Sequence, residues 1–239
     1  MRALVLSGGG LFGAWQAGAW SVLAERLVSE SAPDLIVGAS VGSLNGYLIA
    51  SGATPEELRQ MWLDPTFASL QHLPANIRRM MAHYMPRIPF AITATELPRM
   101  KPRIFRDSEI TWQHLAASCA LPIALPQVRI GETWYSDGGL LGALPLWAAA
   151  ELGADRILGL QALPESPSWW LRQMVRAFRG VAGHNPPVPP GVRVQEIRPG
   201  RPLGSARDTI QWKRSNIERW LDQGAEDARR AVTEKTFSF

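Results

Sequence analysis

Twice within its first 42 residues the chain turns sharply on glycine, each time directly after a short apolar run and before an apolar stretch of helical spacing. The first turn is Gly8-Gly9-Gly10-Leu11-Phe12-Gly13, following Leu4-Val5-Leu6. The second is Gly38-Ala39-Ser40-Val41-Gly42, following Leu35-Ile36-Val37. Each reads as strand, tight turn, helix. The first presents bare backbone N–H groups at a helix start, where negative charge is stabilised. The second sets a serine at the tip of a strand-to-helix bend. An anion cradle and an exposed hydroxyl are the minimum equipment for acyl transfer.

The same alternation continues along the chain and predicts a three-layer α/β/α fold around a mainly parallel central sheet. Helices are expected from Gly13 to about Val28, over Val41–Ala50, and from a Thr54 cap through Pro55 to Leu63. Residues 64–86 read as irregular helix that could cap a site. Phe90–Thr95 alternates like a strand, with Arg103–Phe105 beside it. Thr111–Ala120 is a helix ended by Leu121-Pro122, and a strand near Val128–Ile130 precedes Trp134-Tyr135-Ser136-Asp137-Gly138-Gly139. A helix over Pro145–Leu152, strands over Arg156–Leu160 and Val192–Ile197, and a long amphipathic helix over Ala206–Val232 complete the reading. With 239 residues, 46% of them hydrophobic, the chain can bury one substantial core, which makes a single domain over 1–239 the expectation.

Composition narrows the function classes. The formal charge is +4, and only three of the 25 basic residues are lysines, so arginine, which grips carboxylates and phosphates bidentately, dominates. No basic run interleaved with aromatics supports nucleic-acid binding. The single cysteine, Cys119, excludes an internal disulfide and fits a reducing compartment. The N-terminal apolar run is too short for a signal peptide, and no window approaches about 18 apolar residues, so the expectation is a cytoplasmic protein, at most peripheral to a membrane.

Ser40 is the candidate nucleophile. A bend that exposes it demands small neighbours, which Gly38 and Gly42 supply, and the helix beginning at Val41 turns its positive end toward it. The glycine loop admits a rival reading, because Gly8-x-Gly10-x-x-Gly13 fits the dinucleotide fingerprint. That fingerprint wants an acidic residue at the end of the second strand, where this chain has Gly38-Ala39-Ser40. As an oxyanion hole, Gly9 and Gly10 offer amides with no side chain in the way. A serine also needs a base. Asp137, on the Gly138-Gly139 turn, serves either alone or by holding a histidine, and His184 among His72, His83, His114 and His184 is the one that preserves a Ser–Asp–His order.

Together these residues resemble the patatin-like lipid acyl hydrolases, particularly the short bacterial members. Leu6–Gly18 resembles the family's oxyanion block, Val37–Asn45 its nucleophile block, Ile92–Leu97 its middle strand, and Ala117–Pro122 with Tyr135–Gly139 its Asp-Gly-Gly block. The blocks stand in order over about residues 4–162, and Gln223-Gly224-Ala225 is similar to the family's ending. The resemblance implies a patatin-like fold over 1–239: a motif core over about 2–162, a lid or membrane-contact segment over 163–191, and a last strand and terminal helix over 192–239. It implies a Ser40–Asp137 dyad, an oxyanion hole from Gly8, Gly9 and Gly10, no metal or organic cofactor, and a lipid or fatty-acyl ester substrate. The chain departs from the family pattern at Phe12, where Arg or Lys is common, and at Ala143, where Asn is common. Other readings are a triad esterase of small soluble esters and a nucleotide-binding or interaction domain with an inert Ser40.

One further segment stands apart. In Trp169–Arg179, Leu171, Met174, Val175 and Phe178 share one helical face while Arg172, Arg176 and Arg179 share another, led by Trp169 and Trp170. Such a helix either lies on an anionic membrane surface or packs as a lid or core helix.

Overall fold

The computed structural model describes residues 1–30, 32–67, 69–122, 124–163 and 185–233. Eight strands form one sheet: β1 (Arg2–Leu6), β2 (Leu35–Ala39), β3 (Phe90–Leu97), β4 (Lys101–Arg106), β5 (Val128–Ile130), β6 (Thr133–Asp137), β7 (Arg156–Leu160) and β8 (Arg193–Ile197). The strands β3-β2-β1-β7-β8 run parallel to one another, as the alternation predicts. The strands β4, β5 and β6 add an antiparallel section at the β3 end.

The strands are apolar on both faces because both faces are covered. Leu4, Leu6, Ile36, Phe90 and Ile92 face one core with helices α1 (Gly13–Glu30), α2 (Val41–Ala50), α3 (Pro55–Leu63), α4 (Leu73–His83) and α5 (Trp112–Ser118). Their neighbours in sequence, Ala3, Val5, Leu35, Val37 and Ala91, face Trp147, Ala148 and Ala149 of α6 (Leu146–Glu151). The irregular helix expected over 64–86 is a 3-10 turn, Leu70–His72, followed by α4, whose Leu73, Ile77 and Met80 are buried in the first core. Thr54 caps α3 as its sequence requires: its hydroxyl accepts the Glu57 amide at 3.2 Å, and the Glu57 carboxylate accepts the Thr54 amide at 2.8 Å.

The terminal helix needs a correction. The predicted helix over 206–232 is two elements, a 3-10 turn at Ala206–Thr209 and α7 at Arg214–Thr233. The amphipathic spacing runs through both, but Asp208 closes the first turn by accepting the Ser205 amide and hydroxyl, each at 2.8 Å. Between them, Trp212 donates to the Trp62 carbonyl at 3.3 Å. The helix α7 then crosses α1 at backbone contact, since a Cβ on Gly18 would lie 1.9 Å from the Leu221 oxygen. Among the described residues no helix is long and apolar enough to cross a membrane.

Candidate active site

The strand β3 places Ser40 and Asp137 together. Along one edge, Ala91–Glu96 pair with β4. A strand has only two edges, so both remaining partners must share the other. The strand β2 takes its first half, with Ala39 opposite Thr93, and β6 takes its second half, with Asp137 opposite Ala94. The two strands therefore meet end to end, and the residue after Ala39 stands beside the last residue of β6. Gly138 makes that junction close, because a Cβ there would lie 2.1 Å from the Thr93 oxygen.

Ser40 itself is strained. Its backbone, at φ 54° and ψ −130°, lies in territory that favours glycine, and Ser40 is the residue from which α2 starts. Gly42 permits the bend: a Cβ there would be 2.4 Å from the Leu6 oxygen, while one on Gly38 would be 2.4 Å from the Gly42 oxygen. The Ser40 carbonyl accepts the Ser43 amide at 2.8 Å and the Ser43 hydroxyl at 2.6 Å. Ser40 is half-buried.

Asp137 is 3% exposed. Its Oδ1 accepts the Gly139 amide at 2.7 Å, whereas Oδ2 completes no hydrogen bond among the described residues. Burial pushes the carboxyl from 3.8 up to about 6, against the lowering influence of the Ser40 hydroxyl and the Gly139 amide. The strand end is held by Thr95, whose hydroxyl donates to the Asp137 carbonyl at 2.8 Å.

The three loop glycines differ in role. The Gly8 amide donates to the Ala143 carbonyl at 2.8 Å, so it is not a free donor, and its place in the predicted oxyanion hole becomes one of proximity. A Cβ on Gly8 would lie 3.2 Å from the Ser40 Cβ. Among the described residues no acceptor takes the Gly9 or Gly10 amide. Both departures from the family pattern have physical accounts. Ala143 contributes through its backbone, and Phe12 is buried edge-on against Trp220 with ring centres 5.0 Å apart. A cation at position 12 would sit in that core.

Sequence reasoning assigned no role to a buried polar chain behind the glycine loop. The Gln16 amide donates to the Ser7 carbonyl at 2.8 Å, Asn45 donates to the Gly13 carbonyl at 2.9 Å and to Gln16 Oε1 at 3.0 Å, and Trp62 donates to Asn45 at 3.0 Å. The Ser7 hydroxyl donates to the Gly8 carbonyl at 2.8 Å and accepts the Ala162 amide at 2.9 Å. These bonds fix the loop to α1, α2, α3 and the end of β7. The available signal was a glutamine and an asparagine inside otherwise apolar helices.

Of the histidines, His72 and His83 are exposed, and buried His114 packs on the Phe105 ring at 4.4 Å while its Nδ1 meets the Thr111 hydroxyl at 2.9 Å. His184 lies outside the described residues, as do Trp169, Trp170, Arg172 and Arg176. Burial and the charge of Asp137 push the Cys119 thiol up, which keeps it protonated and inert. Among the described residues no group of three or more His, Cys, Asp or Glu could hold a metal ion.

No curated protein matches the chain by sequence. Among solved structures, VipD from Legionella pneumophila is similar over 96% of this chain and 66% of its own, with 13% identity and a TM-score of 0.59. The type III effector protein ExoU matches 95% of this chain and 51% of its own (13% identity, TM-score 0.45). Full-length ExoU of Pseudomonas aeruginosa in complex with SpcU matches 96% and 52% (14% identity, TM-score 0.41). The chain thus spans less than two thirds of the solved relatives' length, and the likeness to VipD is one of fold. The sequence pattern described as "Patatin-like phospholipase" matches residues 4–150, which include both turns, Ser40 and Asp137. The chain belongs to the patatin-like phospholipase family.

Proposed function

We propose that this protein is a serine acyl hydrolase that cleaves carboxylic ester bonds of a lipid through a Ser40–Asp137 dyad. The observation that carries the reading is the pairing of a strained, half-buried serine with a buried carboxylate whose Oδ2 has no completed hydrogen bond among the described residues. A proton acceptor with an ordinary aspartate pKa is a weak base, and burial raises this one into a useful range. As Ser40 Oγ attacks the ester carbon, Asp137 takes its proton. The carbonyl oxygen becomes an oxyanion held by the Gly9 and Gly10 amides and the positive end of α2. Collapse breaks the carbon–oxygen bond, and the departing alkoxide takes the proton from Asp137. Water, deprotonated by the same carboxylate, then attacks the acyl carbon; its bond to Ser40 Oγ breaks, Ser40 takes the proton back from Asp137, and the acid leaves.

A fluorophosphonate probe tests this directly: one adduct mapped to Ser40 is expected, and an unchanged intact mass after exposure would overturn it. Both labelling and kcat/KM are expected to fall about tenfold per pH unit below a midpoint near 6, because the base must be ionised. A flat profile from pH 4 to 8 would remove Asp137 from the base role.

The membrane part of the reading rests on Trp169, Trp170, Arg172 and Arg176 as sequence. Flotation with anionic vesicles and not with neutral ones is expected, and equal absence from both would leave a lid or core helix.

A further inference from the structure

The segment that closes α5 touches both halves of the proposed dyad. The Ser118 hydroxyl oxygen accepts the backbone amide of Ser40 at 2.9 Å, across 78 positions of sequence. The Ser118 carbonyl accepts the Gly138 amide at 3.1 Å, and the Ala120 carbonyl accepts the Asp137 amide at 3.1 Å and the Ser136 hydroxyl at 2.9 Å. Ser118 is 0% exposed. Two residues, Ser118 and Ala120, thus hold the strand end that carries the carboxylate, and the Ser118 side chain reaches over to the strained residue that carries the hydroxyl.

We infer that Ser118 is a positioning residue, whose hydroxyl holds the Ser40 backbone in its strained conformation at a fixed distance from Asp137. The inference rests on the Ser40–Asp137 reading. Its physical basis is that a backbone at φ 54° persists only where its surroundings over-determine it. At Ser40 the carbonyl side is held within α2 by Ser43, whereas the amide side is held by Ser118 alone among the described residues. Removing that acceptor leaves a buried N–H without a partner and lets the bend relax. A displacement of about 1 Å between nucleophile and base is enough to lower the rate of the chemical step as much as 100-fold.

The test uses Ser118→Ala, which keeps the Ser118 carbonyl and its bond to Gly138, and Ser118→Cys, whose sulfur is a weaker acceptor of similar size. Ile217→Val, a small cavity in the buried face of α7, serves as a control for lost stability. With Ser118→Ala we expect kcat and the rate of phosphonate labelling to fall about 10–100-fold, with KM within about twofold. The pH midpoint should stay that of the wild type, and the Ser40 amide should exchange its hydrogen faster. Ser118→Cys should fall between, and it carries the test if the alanine variant does not fold. Wild-type labelling in Ser118→Ala, or a rate loss no larger than Ile217→Val shows at an equal drop in Tm, would overturn the inference and leave the dyad standing. A wild-type protein that the probe does not label would overturn both.

Discussion

Replacing Asp137 with Asn is expected to lower ester turnover by about 10²–10⁴-fold and, at the same time, to raise the melting temperature at pH 7–8. The two effects have one cause. In the folded chain the Asp137 carboxyl keeps its proton up to about pH 6, whereas in the unfolded chain it loses it near 3.8. Between those values the folded state binds the extra proton, so its stability falls as pH rises through the window. Above pH 6 the buried charge has cost about 2 pKa units, on the order of 3 kcal/mol. Asn carries no charge and retains an oxygen for the Gly139 amide, so the variant should recover part of that loss. For a chain of this length, each kcal/mol corresponds to roughly 2–4 °C. Thermal melts of both proteins at pH 4 and pH 8 check the sign: the gain should be present at pH 8 and nearly absent at pH 4. A variant that keeps its turnover would transfer the base role elsewhere, and one with no gain at pH 8 would mean that the carboxylate is not desolvated.

The second large effect concerns the nucleophile. Ser40→Ala and Ser40→Gly should both lose turnover and phosphonate labelling, yet they should differ in stability. Alanine keeps a Cβ at φ 54°, and glycine removes it. Such backbone strain is worth about 1–3 kcal/mol, and glycine returns part of its gain through the greater freedom of its unfolded chain. A net advantage of about 1 kcal/mol for Ser40→Gly over Ser40→Ala is expected from denaturant midpoints. The reverse order would mean that the bend stores no strain.

Much of this arrangement is legible in the sequence because it is local. The boundaries of α2 follow from small residues flanking Ser40, and the start of α3 from Thr54, Pro55 and Glu57. The parallel strands were legible as short apolar runs between glycines and helices. What was not legible depends on pairings distant in sequence. Nothing near Asp137 says that β6 occupies the half of the β3 edge that β2 leaves open, so the Ser40–Asp137 pairing came from family resemblance rather than from spacing. The demotion of the Gly8 amide depends on a carbonyl 135 positions away, at Ala143. Gln16 and Asn45 gave only the weak signal of polar residues in apolar helices, and Ser118 gave none, because a serine among alanines reads as a small packing residue. Periodicity alone makes the terminal helix too long, because it cannot register a turn closed by Ser205 and Asp208.

The end-to-end meeting of β2 and β6 also sets an order of assembly. During synthesis the serine emerges first, and β3 can dock beside it long before the chain reaches residue 137. Until β6 fills the remaining half-edge, the carboxylate proposed as its base is not beside that hydroxyl. On the proposed dyad, a nascent or proteolysed fragment lacking β6 would carry the nucleophile without its base, and hydrolytic power would arrive with the strand that completes the sheet.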